Sequence, residues 1–300
     1  MKKVIAYIFF TILIVVFADI IVGIASTYYV KNHDLPGRYQ PLDKLIKKVD
    51  TDVLLIGNSA IENSINPDII QDSLGMSCYN GGIEGQGIFF FETMIDCALQ
   101  RYSPKVIVLG FRPEELGKRV GDGIYDVLRP YYHVGFPSID EHFNNAAPNE
   151  RFLLQSSLYR FNTVWTRIIL YSLFDRHTYT SNGFKEHNVP SVLPTLKTIK
   201  HTDKVMEGKL HSLERIISKC KRHGVKLIVC FPPQYLEFIQ QPIPSIAAVE
   251  ELCKNQDIAC YADYNDSLFL SHPELFWDNG HLNKNGASIY SQMMVSRLSK

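Results

Sequence analysis

Ser59 ends the run D-V-L-L-I-G-N-S, and Asp278 stands three residues before His281 in F-W-D-N-G-H-L-N. A serine hydroxyl attacks an acyl carbon only when a base removes its proton. An imidazole, with its ordinary pKa near 6.5, does this well near neutrality. An acid beside that imidazole accepts its other ring N–H, holds the tautomer and aims the base. Nucleophile, base and orienter are therefore present, in the chain order Ser, Asp, His. Each has a plainer alternative: Ser59 as a strand-end serine capping the next helix, Asp278 as a turn acid, His281 as a packed loop histidine. Their occurrence together points to acyl transfer.

Gly57-Asn58-Ser59, Asn80-Gly81-Gly82 and the Asp278/His281 pair follow one another in an order that resembles the SGNH (GDSL-like) hydrolase and acyltransferase superfamily. In that family a G-D-S-like turn carries the nucleophile, an N-x-G block supplies an oxyanion-hole glycine, and D-x-x-H supplies acid and base. By that resemblance Ser59, Asp278 and His281 are catalytic, and the Gly82 N–H serves the oxyanion beside that of Ser59. The family's G-x-N-D block has no match; Gly110 is followed by Phe111, Arg112 and Pro113. Arg112 could there stabilise an oxyanion or bind an anionic substrate group, or be a surface arginine paired with Glu114 or Glu115. Asn58 and Asn80 are secondary candidates that bond to the catalytic loop or stabilise its turns.

The resemblance, with that block missing, implies the membrane-anchored branch similar to proteins that modify cell-surface polymers. The expected activity is transfer or hydrolysis of an O-acyl group, acetyl first among them, on a cell-surface glycan or other acylated polymer through an acyl-serine. A polytopic membrane acyltransferase is the implied supplier of acyl groups. Two other readings stay open. One is a catalytically weak or inactive protein that uses the fold to bind a polymer or membrane partner. The other is a surface lipase or thioesterase. No cofactor is called for. The chain has no C-x-x-C, H-E-x-x-H or Cys/His cluster, which argues against a metal. The Gly81–Gly87 loop lacks G-x-G-x-x-G spacing, and Ser59 lacks the G-x-S-x-G of an α/β-hydrolase elbow. Lys plus Arg, 31, equals Asp plus Glu, 31, so nothing draws the chain to nucleic acid.

Something must carry these residues to their medium. Val4 to Ile24 is almost wholly apolar and follows Lys2 and Lys3. About 20 helical residues cross a bilayer core, whereas a signal peptide's apolar region is about 7–15 residues. The run therefore reads as an uncleaved anchor with a cytoplasmic N-terminus and an exported body, at a bacterial-type cytoplasmic membrane. Asp19 lies inside it, and either reaches headgroup water or meets a polar site in a partner.

Residues 1–25 are thus the cytoplasmic tip and anchor, 26–50 a stalk and lead-in, and 51–300 one α/β domain with an insertion at about 113–202. Strands at 52–56, 76–79, 105–109, 225–231 and 258–262 alternate with helices at 65–74, 88–101, 202–222 and 243–255. This predicts a flavodoxin-like parallel sheet of about five strands with helices on both faces. Ser59, Gly82 and Arg112 each follow a strand end, where such sheets build their sites. Within the insertion, 151–174 reads as one helix with Leu153, Leu154, Leu158, Phe161, Trp165, Ile168 and Ile169 on an inward face. Its aromatics Tyr125, Tyr131, Tyr132 and Trp165 are either sugar platforms or core. Cys253 and Cys260 are near enough in sequence to bridge.

Overall fold

The computed structural model describes residues 1–117, 127–146, 150–174, 179–200, 204–239 and 242–299. They belong to two compact units, residues 1–40 with 124–176 and residues 41–123 with 177–300. In chain order the elements are α1 (Lys2–Asn32), α2 (Gln40–Lys47), β1 (Val53–Gly57), α3 (Ser59–Glu62), α4 (Pro67–Leu74), β2 (Cys78–Asn80), α5 (Ile88–Leu99) and β3 (Val106–Gly110). Then come α6 (Pro137–Ala146), α7 (Glu150–Leu153), α8 (Ser157–Phe161), α9 (Val164–Phe174), β4 (Lys197–Ile199), α10 (Glu207–Arg222), β5 (Lys226–Phe231) and β6 (Leu236–Phe238). The chain closes with α11 (Pro244–Asn255), β7 (Ala259–Ala262), α12 (Ser267–Leu270), β8 (Phe276–Asp278), β9 (His281–Leu282) and α13 (Lys284–Leu298).

The larger unit is built on a five-stranded sheet in the order β2-β1-β3-β5-β7, every pair parallel. This is the flavodoxin-like order expected from the alternation of strands and helices. Its central strands are continuous apolar runs because both faces are covered. Val53, Leu55, Val108, Ile228 and Cys230 cluster with Ile70 of α4 and with Tyr290 and Met294 of α13. Leu54, Ile56, Ile107 and Leu109 alternate with them and are also fully buried. Helices α5 and α10 pack against each other and against β1 and β5. Between those two helices Glu92 accepts from Arg215 and Lys219 at 2.7 and 2.8 Å and from Ser212 at 2.6 Å. Burial pulls the Glu92 carboxyl up, but these donors outweigh it and hold it below the usual range.

Several local expectations change. Residues 26–50 form no stalk. Helix α1 continues to Asn32, and α2 buries Leu42, Leu45 and Ile46 at helical spacing in the larger unit. Arg101 holds α2 by donating to the Leu45 carbonyl, and Tyr79 does so by donating to that of Pro41. Asp278 and His281 lie not in a plain loop but on the short antiparallel pair β8–β9. The start of the 202–222 helix is at Glu207, and Thr202 lies outside the described residues. All six cysteines are free thiols, Cys253 and Cys260 included.

The smaller unit is α1 with α6–α9. The expected single helix over 151–174 is three helices, because Ser156 caps α8 after a break and a second break follows Phe161. Its inward stripe also divides. Leu154, Phe161 and Ile168 are buried with Tyr131, Tyr132 and Phe143, while Leu153, Leu158 and Ile169 are exposed. Trp165 is an anchor to α1: its Nε1–H donates to Ser26 Oγ at 2.7 Å and its ring lies 4.9 Å from that of Tyr29. Tyr131 and Tyr132 are core, and Tyr125 lies outside the described residues. Asp19, expected to reach headgroup water or a partner, has hydrogen bonds within its own unit. It accepts from Ser156 Oγ at 2.6 Å and from the Leu158 amide at 2.8 Å within the same unit.

Candidate active site

Strand β1 ends at Gly57, and the chain turns at once into the four-residue helix α3, whose first residue is Ser59. Asn58 makes that turn. Its Oδ1 accepts from the Ala60 amide at 2.9 Å as the helix N-cap, and its Nδ2 donates to Glu115 Oε2 at 2.9 Å. Asn80 braces the other side: its Nδ2 donates to the carbonyls of Ile61 and Ile65, and its Oδ1 accepts from the Gly82 amide at 2.9 Å. Asn58 and Asn80 are buried and satisfied by the turn itself, so neither is offered to a substrate. Gly82 is corrected too. Its amide is committed to Asn80, and a Cβ there would sit 2.5 Å from the Glu62 nitrogen. Glycine is needed for that close approach, not as an oxyanion donor. The Ser59 amide, at the first position of α3, has no partner within the helix. The Gly85 loop is pinned beside the turn by the Ile83 amide, which donates to the Gly57 carbonyl at 3.0 Å.

The acid and base come from the far end of the chain. Asn279, at the tip of the β8–β9 pair, donates to the Tyr235 carbonyl and accepts from the Tyr235 amide. Asn283 donates to the Glu274 and Phe276 carbonyls and caps α13. So held, His281 places Nε2 2.8 Å from Ser59 Oγ, and its Nδ1 lies 2.8 and 2.9 Å from the two Asp278 oxygens. Burial pulls the Asp278 carboxyl up, but hydrogen bonds from His281 and from the Gly280 amide more than offset it, leaving it below the ordinary range. An ionised Asp278 can only accept, so Nδ1 carries the imidazole proton and Nε2 is free to accept from Ser59.

No protein-family model matches the chain, and no curated protein matches it. Solved structures do resemble it. A lipase/acylhydrolase from Enterococcus faecalis is 10% identical, with 82% of this chain and 94% of that chain covered and a TM-score of 0.42. A psychrotrophic esterase from Pseudoalteromonas sp., solved with monoethylphosphonate as inhibitor, is 12% identical over 83% of this chain and 97% of that chain, with a TM-score of 0.41. Likenesses this distant decide nothing by themselves.

Three groups at this edge carry no local sequence signal. His187 stacks on Trp277 with centroids 4.2 Å apart and planes at 8°, and its ring is 6.3 Å from that of His281. Burial, with the charges of Lys185 and His281, pushes His187 down to about 4. It is neutral when His281 takes up a proton. His187 arrives on the segment 179–187, which clasps the nucleophile turn. There the Lys185 amide donates to the Glu62 carbonyl, and Tyr179 Oη donates to Glu62 Oε1. Gly183, at φ +84, passes so close to Asn80 that a Cβ would fall 2.1 Å from its carbonyl oxygen. Glu115 is the third, a fully buried carboxylate holding Asn58. Arg112 stands across the site. Its Nε is buried without a hydrogen-bond partner, and its Nη2 is 2.6 Å from where a Gly280 Cβ would lie. Glu115, one of the two acids considered as its partner, accepts from Asn58.

Proposed function

We propose that this chain is an SGNH-like serine enzyme that transfers or hydrolyses an O-acyl group, acetyl foremost, on a cell-surface glycan. The observation that carries the reading is the unbroken hydrogen-bond line from Ser59 through His281 to Asp278, each link 2.8 Å. Ser59 Oγ attacks the acyl carbon while its proton moves to His281 Nε2. The carbonyl π electrons move onto oxygen, where the Ser59 amide at the start of α3 is a donor that stabilises the charge. As the C–O bond of the leaving group breaks, Nε2 returns the proton to it, and the acyl group stays on Ser59. A sugar hydroxyl or water then gives its proton to Nε2 and attacks the acyl-serine. Ser59 leaves as hydroxyl, taking that proton back. Asp278 keeps the tautomer throughout and stabilises the transient imidazolium. Neutral His187 adds no opposing charge.

Arg112 suits an anionic part of the substrate or the oxyanion itself. A half-buried guanidinium whose buried Nε has no hydrogen-bond partner favours negative charge. Lys2 and Lys3 at the start of α1 favour a single-pass anchor with the body on the extracytoplasmic side. The intact triad speaks against a purely binding role.

The test is chemical. Full-length protein in detergent is mixed with p-nitrophenyl acetate, quenched in acid and digested, and the peptides are weighed. Acetyl on the Ser59 peptide, discharged faster when a glycan acceptor is added and recovered on that glycan, supports transfer. Discharge at a rate indifferent to glycan supports hydrolysis. No acyl adduct on Ser59 overturns the reading. Protease added to spheroplasts checks the side of the membrane, because an exported body is digested and a cytoplasmic one is protected.

A further inference from the structure

The smaller unit breaks the usual sorting of side chains. Phe152 is 67% exposed, Leu173 69% and Phe174 72%. On α9 the exposed Ile169, Leu170, Leu173 and Phe174 share one face, while Val164 and Ile168 are buried on the other. Apolar side chains on both the buried and the exposed side of a helix require an apolar neighbour on each. Contiguous exposed apolar patches of this kind mark a binding surface.

What covers the patch follows from α1. The helix has 31 residues, and its most apolar stretch has a mean hydropathy of 2.8 and no buried residue. At 1.5 Å per residue it is roughly 46 Å long, against about 30 Å of bilayer hydrocarbon. Starting at the lysines, the hydrocarbon is used up after about 20 residues, near Gly23. That is the level at which α8 joins α1. Ser156 and the Leu158 amide bond to Asp19, and Gly23 lies so near Ser157 that a Cβ would fall 2.4 Å from its Oγ. The exposed Leu158 belongs to the first turn of α8, and the exposed Phe152 and Leu153 end α7 three to four residues before Ser156. Trp165 meets Ser26 about two turns beyond Asp19, and a groove of about 470 Å³ between α1 and α8 is lined by Ile20, Ile24 and Tyr28 with Arg160. Apolar side chains, tryptophan and tyrosine, and arginines over that short depth match the layered chemistry of a bilayer boundary.

We infer that α7–α9 form a collar around the far end of α1 that lies in the membrane interface, with Phe152, Leu153, Leu158 and the exposed face of α9 in lipid. Asp19 then serves the collar: inside the boundary of the hydrocarbon it satisfies the start of α8, where water is scarce. The inference rests on α1 spanning the membrane and is independent of the acyl-transfer chemistry.

The test uses the full-length chain carrying Cys260→Ser, since the other five thiols are buried. Nitroxides are placed singly at positions 13, 153, 158, 173 and 214, and the protein is reconstituted in nanodiscs of phosphatidylcholine with phosphatidylglycerol as minority lipid. Power saturation is measured against oxygen, which partitions into lipid, and a nickel chelate, which stays in water. Position 13 on the span should be oxygen-accessible and position 214 on α10 nickel-accessible. The inference expects 153, 158 and 173 to resemble 13. If they resemble 214, or exclude both reagents as a protein-covered surface would, the collar is wrong. If position 13 itself is nickel-accessible, the span is wrong and the collar falls with it, while acylation of Ser59 is untouched.

Discussion

The two units handle their carboxylates alike and their apolar side chains oppositely. Asp278 in the larger unit and Asp19 in the smaller are both held by a side-chain donor and a backbone amide. Around the sheet, however, Leu54, Ile107 and Ile228 are sealed inside, whereas Leu173 and Phe174 of α9 stand out. Hydrogen bonding must be completed in any medium; the placement of apolar surface depends on which medium is outside. On the reading proposed above, the larger unit is built for water and for chemistry and the smaller for the boundary of a bilayer.

Substitutions can break or sharpen that division. The largest effect is expected at Ser59. Ser59→Ala should lower turnover of an aryl acetate by about 10⁴-fold or more, and adding His281→Ala should cost little further, because the pair acts as one device. Nitroxide depths in the smaller unit should not change. Multiplicative losses in the double variant would show that the two do not share a step.

Arg112→Ala comes next. If the guanidinium faces the oxyanion, kcat falls by a factor of order 10² at nearly constant KM; if it holds an anionic group of the glycan, KM rises instead. Arg112→Lys keeps charge without the forked donors and should recover only part of the loss. Wild-type rates with both substrates in Arg112→Ala would remove it from the site.

Asn58→Ala removes the α3 cap, at about 1 kcal/mol, and leaves the buried Glu115 carboxylate without that donor. Chemical denaturation should record the destabilisation, and kcat should fall with KM held. Asp19→Ala removes the corresponding support of α8, at a similar cost of about 1 kcal/mol, and should leave turnover of a soluble ester unchanged. A loss of turnover there as large as in Asn58→Ala would erase the distinction between the units.

The smallest effect concerns pH. His187 is held at about 4 against an ordinary 6.5, so the fold favours its neutral form. The stability this confers is complete above pH 6.5 and is lost as pH falls from there towards 4. His187→Phe keeps a ring against Trp277 and should flatten the fall in Tm over that window. An unchanged profile would place the acid sensitivity elsewhere.

What could be read from the residues alone follows the same physics. Strands β1, β3 and β5 are legible because burial on both faces leaves continuous apolar runs, and Asp278 with His281 because their spacing is local. Helix α2 was not, since its short turn of Leu42, Leu45 and Ile46 sits among prolines and lysines. Gly82 could be recognised as important but not for its reason, because the direction of an amide is invisible in a letter code. His187 and Glu115 reach the site only through tertiary contacts. The stripe over 151–174 is legible as one apolar face but not for what covers it, since hydrophobic periodicity reports an apolar neighbour without naming it.

The central claim is that Ser59 is a nucleophile activated by His281. Full-length protein treated with a fluorescent fluorophosphonate tests it most directly. The reagent should label the wild type, with loss of fluoride and a covalent bond to Ser59 Oγ. Labelling should be absent in Ser59→Ala and strongly slowed in His281→Ala, while both variants keep the wild-type circular dichroism. Equal labelling of wild type and Ser59→Ala, or none of either folded protein, would contradict the account.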